Sequence, residues 1–510
     1  MRTPLAGVLA IALLGGCNVG PKYARPAVAV PASFKEALPA AYAAVPPGTW
    51  QPAQPQDAML KGRWWEMFGE PELDGLEEQL DINNQNLAVS FQNFMAARAQ
   101  VGVARAGYYP TVSVNPGVTN AGAGRTAGTA AVGGGGAPAT ATSTGPTVVN
   151  VFSLPIEASW APDLWDRVRN TVRQYQFAAQ VSAADLENER LVEQAALAMF
   201  YFQLRGQDAL QEVYDHTIVA DQQALEYTRA QAQTGVGPEQ AVAQAEVTLE
   251  NAEAAGIGIG TNRALYEHAM ATLIGQPASG FAIPVKVLTT PVPAIPVAIP
   301  SQLLQRRPDI AAAERTLAQA NALIGVEKAA YYPSLNLTAM GGLESSTLGT
   351  LFSLPALFWS IGASLSETII DGGLRGSTVD QYTALYRADV AAYRQTVLTA
   401  FQQVEDYVAT LRILSQQIAR QTVAVSAAQR YLDIAMAQYQ TGLGPYLNVI
   451  TAQTILLGDQ QTLVTLRVSE MTAAVQLVQA LGGGWDVTKL PAASDVTSKE
   501  AAHQAASTGP

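Results

Sequence analysis

The chain repeats itself, and that bounds its fold more tightly than any other feature. ARAQVGVARAGYYP at 97–110 returns at 320–333 as ANALIGVEKAAYYP, with Gly102/Gly325, Val103/Val326, Tyr108/Tyr331, Tyr109/Tyr332 and Pro110/Pro333 identical. IEASW at 156–160 returns as IGASL at 361–365, and Asp166 as Asp371. QTGVGP at 233–238 returns as QTGLGP at 440–445, and Ile274-Gly275 as Leu481-Gly482. Matches kept in one order mean that whatever one half forms, the other forms too. Each half is expected to run helix, strand, strand, long helix, turn, helix.

The strands show as period-two alternation. Val112 and Val114 alternate with Ser113 and Asn115, and Leu335 and Leu337 with Asn336 and Thr338. The second strands alternate through Leu154, Ile156, Ala158 and Trp160, and through Trp359, Ile361, Ala363 and Leu365. Strands are expected at about 110–120, 148–161, 333–343 and 357–369. The Gly/Ala/Thr-rich stretch at roughly 121–146 reads as a flexible loop.

The long helices show as heptads. Val390, Val397, Val404, Leu411, Ile418, Val425, Leu432 and Tyr439 are spaced by seven, with Tyr393, Ala400, Tyr407, Leu414, Ala428 and Ala435 three further on and Gln421 interrupting. Leu197, Leu204, Ile218 and Leu225 give a weaker version in the first half. Such a pattern implies coiled-coil packing, and a helix of 65–70 residues would be ~100 Å long. Gly235-Val236-Gly237-Pro238 and Gly442-Leu443-Gly444-Pro445 read as the turns of αα-hairpins.

Composition removes most enzyme readings. The single cysteine, Cys17, permits neither an intramolecular disulfide nor a cysteine-based zinc site. His216, His268 and His503 are far apart, in no ligand spacing. A net charge of −12 gives no basic face for nucleic acid. Gly256-Ile257-Gly258-Ile259-Gly260 lacks the preceding strand that a dinucleotide loop requires. No catalytic residue, cofactor or metal is expected.

Residues 1–17, MRTPLAGVLAIALLGGC, combine a basic start, a short apolar run and a small-residue cleavage site directly before Cys17. This pattern is that of a bacterial lipobox, so Cys17 is expected to be lipidated and to become the mature N-terminus. Aspartate after such a cysteine typically retains a lipoprotein in the inner membrane, so Asn18 favours the outer membrane. No other apolar run approaches the ~18 residues of a membrane-spanning helix, so any crossing must be a β-barrel. Four strands cannot close one, since such barrels start at about eight. The strands must therefore be pooled between copies, and two, three or four chains remain open on this count.

Several segments resemble the TolC-like outer-membrane efflux factors, in particular the lipoprotein branch serving tripartite drug-efflux pumps. They are Cys17 followed by Val19-Gly20-Pro21-Lys22-Tyr23; Trp64-Trp65 with Phe68; residues 303–338; Asp371-Gly372-Gly373; Tyr439–Gln453; and Leu481-Gly482-Gly483-Gly484-Trp485. The resemblance implies a mixed α and β membrane protein and a homotrimer. Its copies would share a 12-stranded outer-membrane β-barrel continued by a periplasmic α-barrel of long coiled-coil helices. It implies passive export of small toxic compounds or drugs, with a periplasmic adaptor, an inner-membrane transporter and outer-membrane lipid as partners. The outlet of a protein secretion system and a structural coiled-coil surface lipoprotein are the alternatives.

The family also implies sites. The turns, at Gly235, Gly237, Pro238, Gly442, Gly444 and Pro445, would dock the adaptor. The second turn and its flanks would carry the periplasmic gate, with Tyr439 just before the turn and Leu447, Asn448 and Thr451 on the helix after it. Relatives commonly place aspartates where Asn448 and Thr451 stand. Either closure here is polar and steric, or acidic residues elsewhere, such as Glu239, compensate. Arg306-Arg307-Pro308-Asp309 reads as a structural helix start. The expected organisation is a signal peptide (1–16), an N-terminal extended segment (17–63), a first repeat (64–284), a Pro-rich linker (285–302), a second repeat (303–485) and a mobile tail (486–510).

Overall fold

The structure, a computed structural model, describes residues 18–38, 62–123, 147–287, 290–296 and 300–497. The expected signal peptide at 1–16, Cys17, most of the Gly-rich stretch at 121–146 and the chain beyond 497 lie outside the described residues.

The repeat is reproduced element by element. The first half has a short helix α1 (Pro71–Asn83) and then α2 (Gln85–Ala106), β1 (Thr111–Val114), β2 (Gly117–Ala123), β3 (Thr147–Trp160), α3 (Arg167–Gln233) and α4 (Glu239–Leu273). The second has a short α5 (Pro300–Arg306) and then α6 (Pro308–Ala329), β4 (Ser334–Ser345), β5 (Leu357–Ser366), α7 (Leu374–Gln440) and α8 (Tyr446–Ala480). Helices α3 and α7 have 67 residues each, α4 and α8 35 each, and α2 and α6 22 each.

The chain divides into two compact units, one built from residues up to Arg25, Ala96–Ala179 and Arg315–Val390, the other from Pro26–Met95, Gln180–Glu314 and Ala391 onward. The first unit holds the sheet, which is antiparallel in the order β1-β3-β4-β5, with β2 also on β3. The strand expected at 110–120 is broken into β1 and β2 around Asn115-Pro116, since proline has no N–H for the ladder. The expected second-half strand at 357–369 stops at Ser366.

Register puts the apolar alternation on one face. Val112 faces Ala158, Val114 faces Ile156, Trp160 faces Leu337, Ala339 faces Ile361 and Leu335 faces Leu365. The other face carries Ser113, Glu157, Ser159, Asn336, Thr338, Ser360 and Ser364. The apolar face is uncovered among the described residues: Trp359, Ile361 and Leu365 are 75%, 78% and 69% exposed. Among the described residues no helix is long and apolar enough to cross a membrane.

Carboxylates fix the starts of both long helices. Asp163 accepts from the Val168 and Arg169 amides at 3.0 and 2.8 Å. Asp371 accepts from the Gly373 amide at 2.9 Å and pairs with Arg375 at 2.6 Å, and the Arg375 hydrogen bond is the chief cause that lowers its pKa to about 2.

The second unit holds the two hairpins, α3/α4 and α7/α8, from Gln180 and Ala391 onward. The heptad residues Leu197, Leu204, Val397, Val404 and Leu411 are buried, as are Tyr393 and Ala400. Gln421 interrupts the heptad because its amide donates to the carbonyl and carboxylate of Asp459 on α8, at 3.0 and 2.9 Å. Trp64, Trp65 and Phe68 are buried, with Phe68 5.1 Å from Phe202.

Two expectations about loose segments change. The Pro-rich linker is pinned: Ile295 is fully buried, Lys286 pairs with Glu70 at 2.6 Å, and α5 begins inside it at Pro300. The tail is held at points as far as its description runs. Val496 is 2% exposed, and Gln180 donates to the Pro491 carbonyl at 2.9 Å. Arg307 is structural. It grips Asp309 through two nitrogens, at 3.0 and 2.6 Å, and caps the end of α8 through the Ala480 carbonyl at 3.0 Å.

Candidate functional site: the paired hairpin tips

The two turns have nearly the same conformation. Gly235 and Gly442 sit at φ +74° and +75°, in the left-handed region where a Cβ is penalised. The Gln231 carbonyl accepts from the Val236 and Gly237 amides, both at 3.0 Å. The Gln438 carbonyl accepts from Leu443 and Gly444, at 2.8 and 3.2 Å, so both helix ends are capped in the same way. Pro238 and Pro445 stand at the N-caps of α4 and α8 in extended conformation, one residue before the first turn where sequence put them. Val236 and Leu443, the non-glycine residues of the turns, are 78% and 82% exposed.

Behind the turns the hairpins share a seam. Ala224 and Leu225 of α3, Val242, Ala245 and Leu249 of α4, Ala435 and Tyr439 of α7, and Tyr446, Val449 and Ala452 of α8 form one buried cluster. Tyr439 lies 5.1 Å from Tyr446 and 5.7 Å from Tyr227, ring centre to ring centre. A cavity of about 440 Å³ opens between the turns, lined by Val236, Pro238, Gly444, Pro445, Tyr439 and Leu447 among others.

The expected gate residues separate into two groups. Leu447 is 57% exposed, and Asn448 and Thr451 are exposed beside it, with the Thr451 hydroxyl donating to the Leu447 carbonyl at 2.8 Å. Tyr439 is buried in the seam and does not project from its hairpin, because its ring fills the space between Tyr227 and Tyr446. Gly235, Gly237, Pro238, Gly442, Gly444 and Pro445, the residues expected to dock an adaptor, all lie at the two turns. Among the described residues no group of three or more His, Cys, Asp or Glu is placed to hold a metal ion. Gly256 packs on Tyr214 and Ile218 inside α4, where no strand precedes it.

Sequence reasoning missed the polar groups in the seam. Asp221 of α3 is 2% exposed, and neither of its oxygens has a hydrogen-bond partner. Gln453 of α8 is buried with both amide atoms unpartnered, and so is the Tyr439 hydroxyl. Burial alone pushes Asp221 up to about 6. Tyr446 is pushed up to about 12, chiefly by burial and then by the nearby Asp221. The signal was available: Asp221 stands three residues after Ile218 and four before Leu225, on the apolar stripe of its helix.

Comparison with known proteins matches this architecture. A family model described as "Outer membrane efflux protein" covers residues 76–276 and 299–483. The probable efflux pump outer membrane protein TtgC of Pseudomonas putida is 30% identical, over 93% of this chain and 94% of its own. The Campylobacter jejuni CmeC outer membrane channel superposes with a TM-score of 0.82 at 21% identity, covering 96% of this chain and 98% of that one. The outer-membrane channel OprN gives 0.79 at 23% identity, covering 92% and 100%.

Proposed function

The chain belongs to the outer membrane efflux protein family and is the outer-membrane channel component of an efflux pump; on that premise we propose that three copies make one passive conduit for small toxic compounds. The observation that carries the reading is the sheet. It holds four strand positions, counting β1 and β2 as one, and its outer strands, β1/β2 and β5, each pair on one side only. Its apolar face is uncovered, and its opposite face is hydroxyl- and amide-rich. Open edges are not tolerated in lipid, so further copies must supply the missing neighbours. Three give the 12 strands that the family resemblance implies, with the polar faces turned to water inside.

The rest of the assembly is read from the family resemblance. Cys17 carries the lipid. In support, Pro21 accepts a hydrogen bond from Asn321 at 2.9 Å and Gly20 lies against Gly325, all within the strand-bearing unit. The exposed turns receive a periplasmic adaptor, which links the conduit to an inner-membrane transporter. Leu447 narrows the opening beside the neutral Asn448 and Thr451, while Tyr439 braces the seam. Native mass spectrometry in detergent should give three copies of a chain beginning at a lipidated Cys17, and planar bilayers should show steady ion conductance. A monomer that conducts, or an unmodified Cys17 in the mature protein, would overturn the corresponding part.

A further inference from the structure

The seam between the hairpins is apolar where it is well packed, and one ionisable carboxyl stands in it without a partner. Asp221 is 2% exposed. It shares its helix face with Ala224 and Leu225, which meet Val242, Ala245 and Leu249 from α4, Ala435 and Tyr439 from α7, and Val449 and Ala452 from α8. The titratable groups turned toward this region are phenols: Tyr446 from α8, which feels Asp221 electrostatically, Tyr439 from α7 behind it, and Tyr227 of α3 against Tyr439. Helix α4 brings Ala241, Val242, Ala245 and Leu249 to the cluster. Desolvation is the single cause acting on Asp221, so no cation compensates its charge. An ion pair that joins α3 to α4 close to the turn, Arg229 with Glu246 at 2.7 Å, is half-exposed.

Packing does not require a carboxyl here. Counting back from the matched turns, the place of Asp221 in the first repeat is that of Ala428 in the second. Ala428 is likewise buried, at 5%. The second hairpin thus fills the equivalent position with a methyl group, while the first carries an acid with two unsatisfied oxygens. A buried unpaired charge is costly, and the group can avoid that cost in only two ways. It can take a proton, or the seam can open and admit water.

We propose that Asp221 is a proton-operated latch on the hairpin seam, holding α3 and α4 against α7 and α8 when protonated and driving them apart when ionised. The inference rests on the reading of the tips as the mobile end of a conduit, and it names what controls them. The sign is fixed by linkage: the packed seam binds the proton more tightly than the opened one, so acid favours packing and packing weakens as pH rises through about 6. With 3.8 as the value for a solvated aspartate, the shift biases each chain toward opening by on the order of a hundredfold between acid and neutral pH. Glu77 and Asp81, also raised by burial in the same unit, titrate as a background that a change at Asp221 leaves in place.

The test uses the full-length lipoprotein in its native oligomeric state, with two readouts from pH 4.5 to 8. Hydrogen exchange of 218–228 and 446–456, corrected for intrinsic rate, should lose protection with a midpoint near pH 6. Planar-bilayer conductance should rise over the same range. In Asp221→Asn, and in Asp221→Ala, which copies the second repeat, both should stay at the acid level throughout. If either variant keeps the wild-type midpoint in exchange, the latch is refuted. If exchange behaves as stated but no variant and no wild-type preparation conducts, the conduit reading fails while the titrating seam stands.

Discussion

Asp208 offers the sharpest test of how the second unit is held together. Its carboxylate takes Arg205 at 2.9 Å and Arg263 at 2.8 Å and accepts the Lys286 amide at 3.1 Å. Arg205 also reaches Glu72 and the Pro284 carbonyl, and lies 4.9 Å from the Tyr201 ring centre. Both side chains of the Arg205–Asp208 pair are only 1% exposed. Asp208→Leu leaves the buried Arg205 guanidinium and the partly covered Arg263 short of a negative partner, and removing one member of a buried pair costs about 3–5 kcal/mol. The same substitution removes the acceptor that ties the Lys286 amide to α3. Thermal unfolding of the detergent-solubilised protein should show this loss. Arg205→Met with Asp208→Leu removes both charges together, so the double variant should lie above the additive expectation by about 2 kcal/mol or more. Glu72 is 31% exposed and can turn to solvent when Arg205 is gone. Strict additivity, or a single Asp208→Leu variant within ~0.5 kcal/mol of wild type, would refute the account of this cluster as one buried charge network.

Three further outcomes are expected. Glu77 is fully buried with both oxygens unpartnered, and burial raises its pKa well above the ordinary value, so the folded state holds its proton and stability falls as pH rises from about the ordinary carboxylate range; Glu77→Gln should flatten that slope in thermal melts. Gly482 has φ +95°, and an added Cβ would lie 2.0 Å from the Arg306 carbonyl, so Gly482→Ala should disturb the junction of α5 and α8 by several kcal/mol, read as lower yield and lower melting temperature. Thr451→Asp should create a carboxylate cluster at the proposed opening and make conductance sensitive to millimolar divalent cations entering at the tips, whereas the unaltered channel should respond weakly.

The repeat made the element order legible because it let each half check the other. Period-two alternation placed β3, β4 and β5, and heptads placed α7, since both patterns record a persistent apolar face. What stayed hidden depends on contacts between segments distant in sequence. The heptad puts Tyr439 on the packed face, but nothing local names Tyr446 and Tyr227 as its neighbours, or tells that Lys286, in a proline-rich stretch, reaches Glu70. The break between β1 and β2 is readable from Pro116, which has no N–H for the ladder. The Gly256–Gly260 run resolved into helix because a helix surrounds it on both sides.

Matched lengths do not make matched chemistry. Counted from the shared turns, Arg205 of α3 and Arg412 of α7 hold equivalent places, yet Arg205 is buried among Glu72 and Asp208, while Arg412 binds Glu36 of the N-terminal segment at 2.8 Å. In the same way Asp221 answers to Ala428, and the glycine-bounded turns carry Val236 in one repeat and Leu443 in the other. The backbone needs each helix to have the same length, phase and cap, so those features persist in both halves. The side chains that decide how firmly one hairpin holds the other face different neighbours, so they are free to differ. If opening depended on features common to both repeats, every helix contact would weaken together. Charge confined to one hairpin gives the seam a single place to yield, and the first repeat alone carries that charge at Asp221.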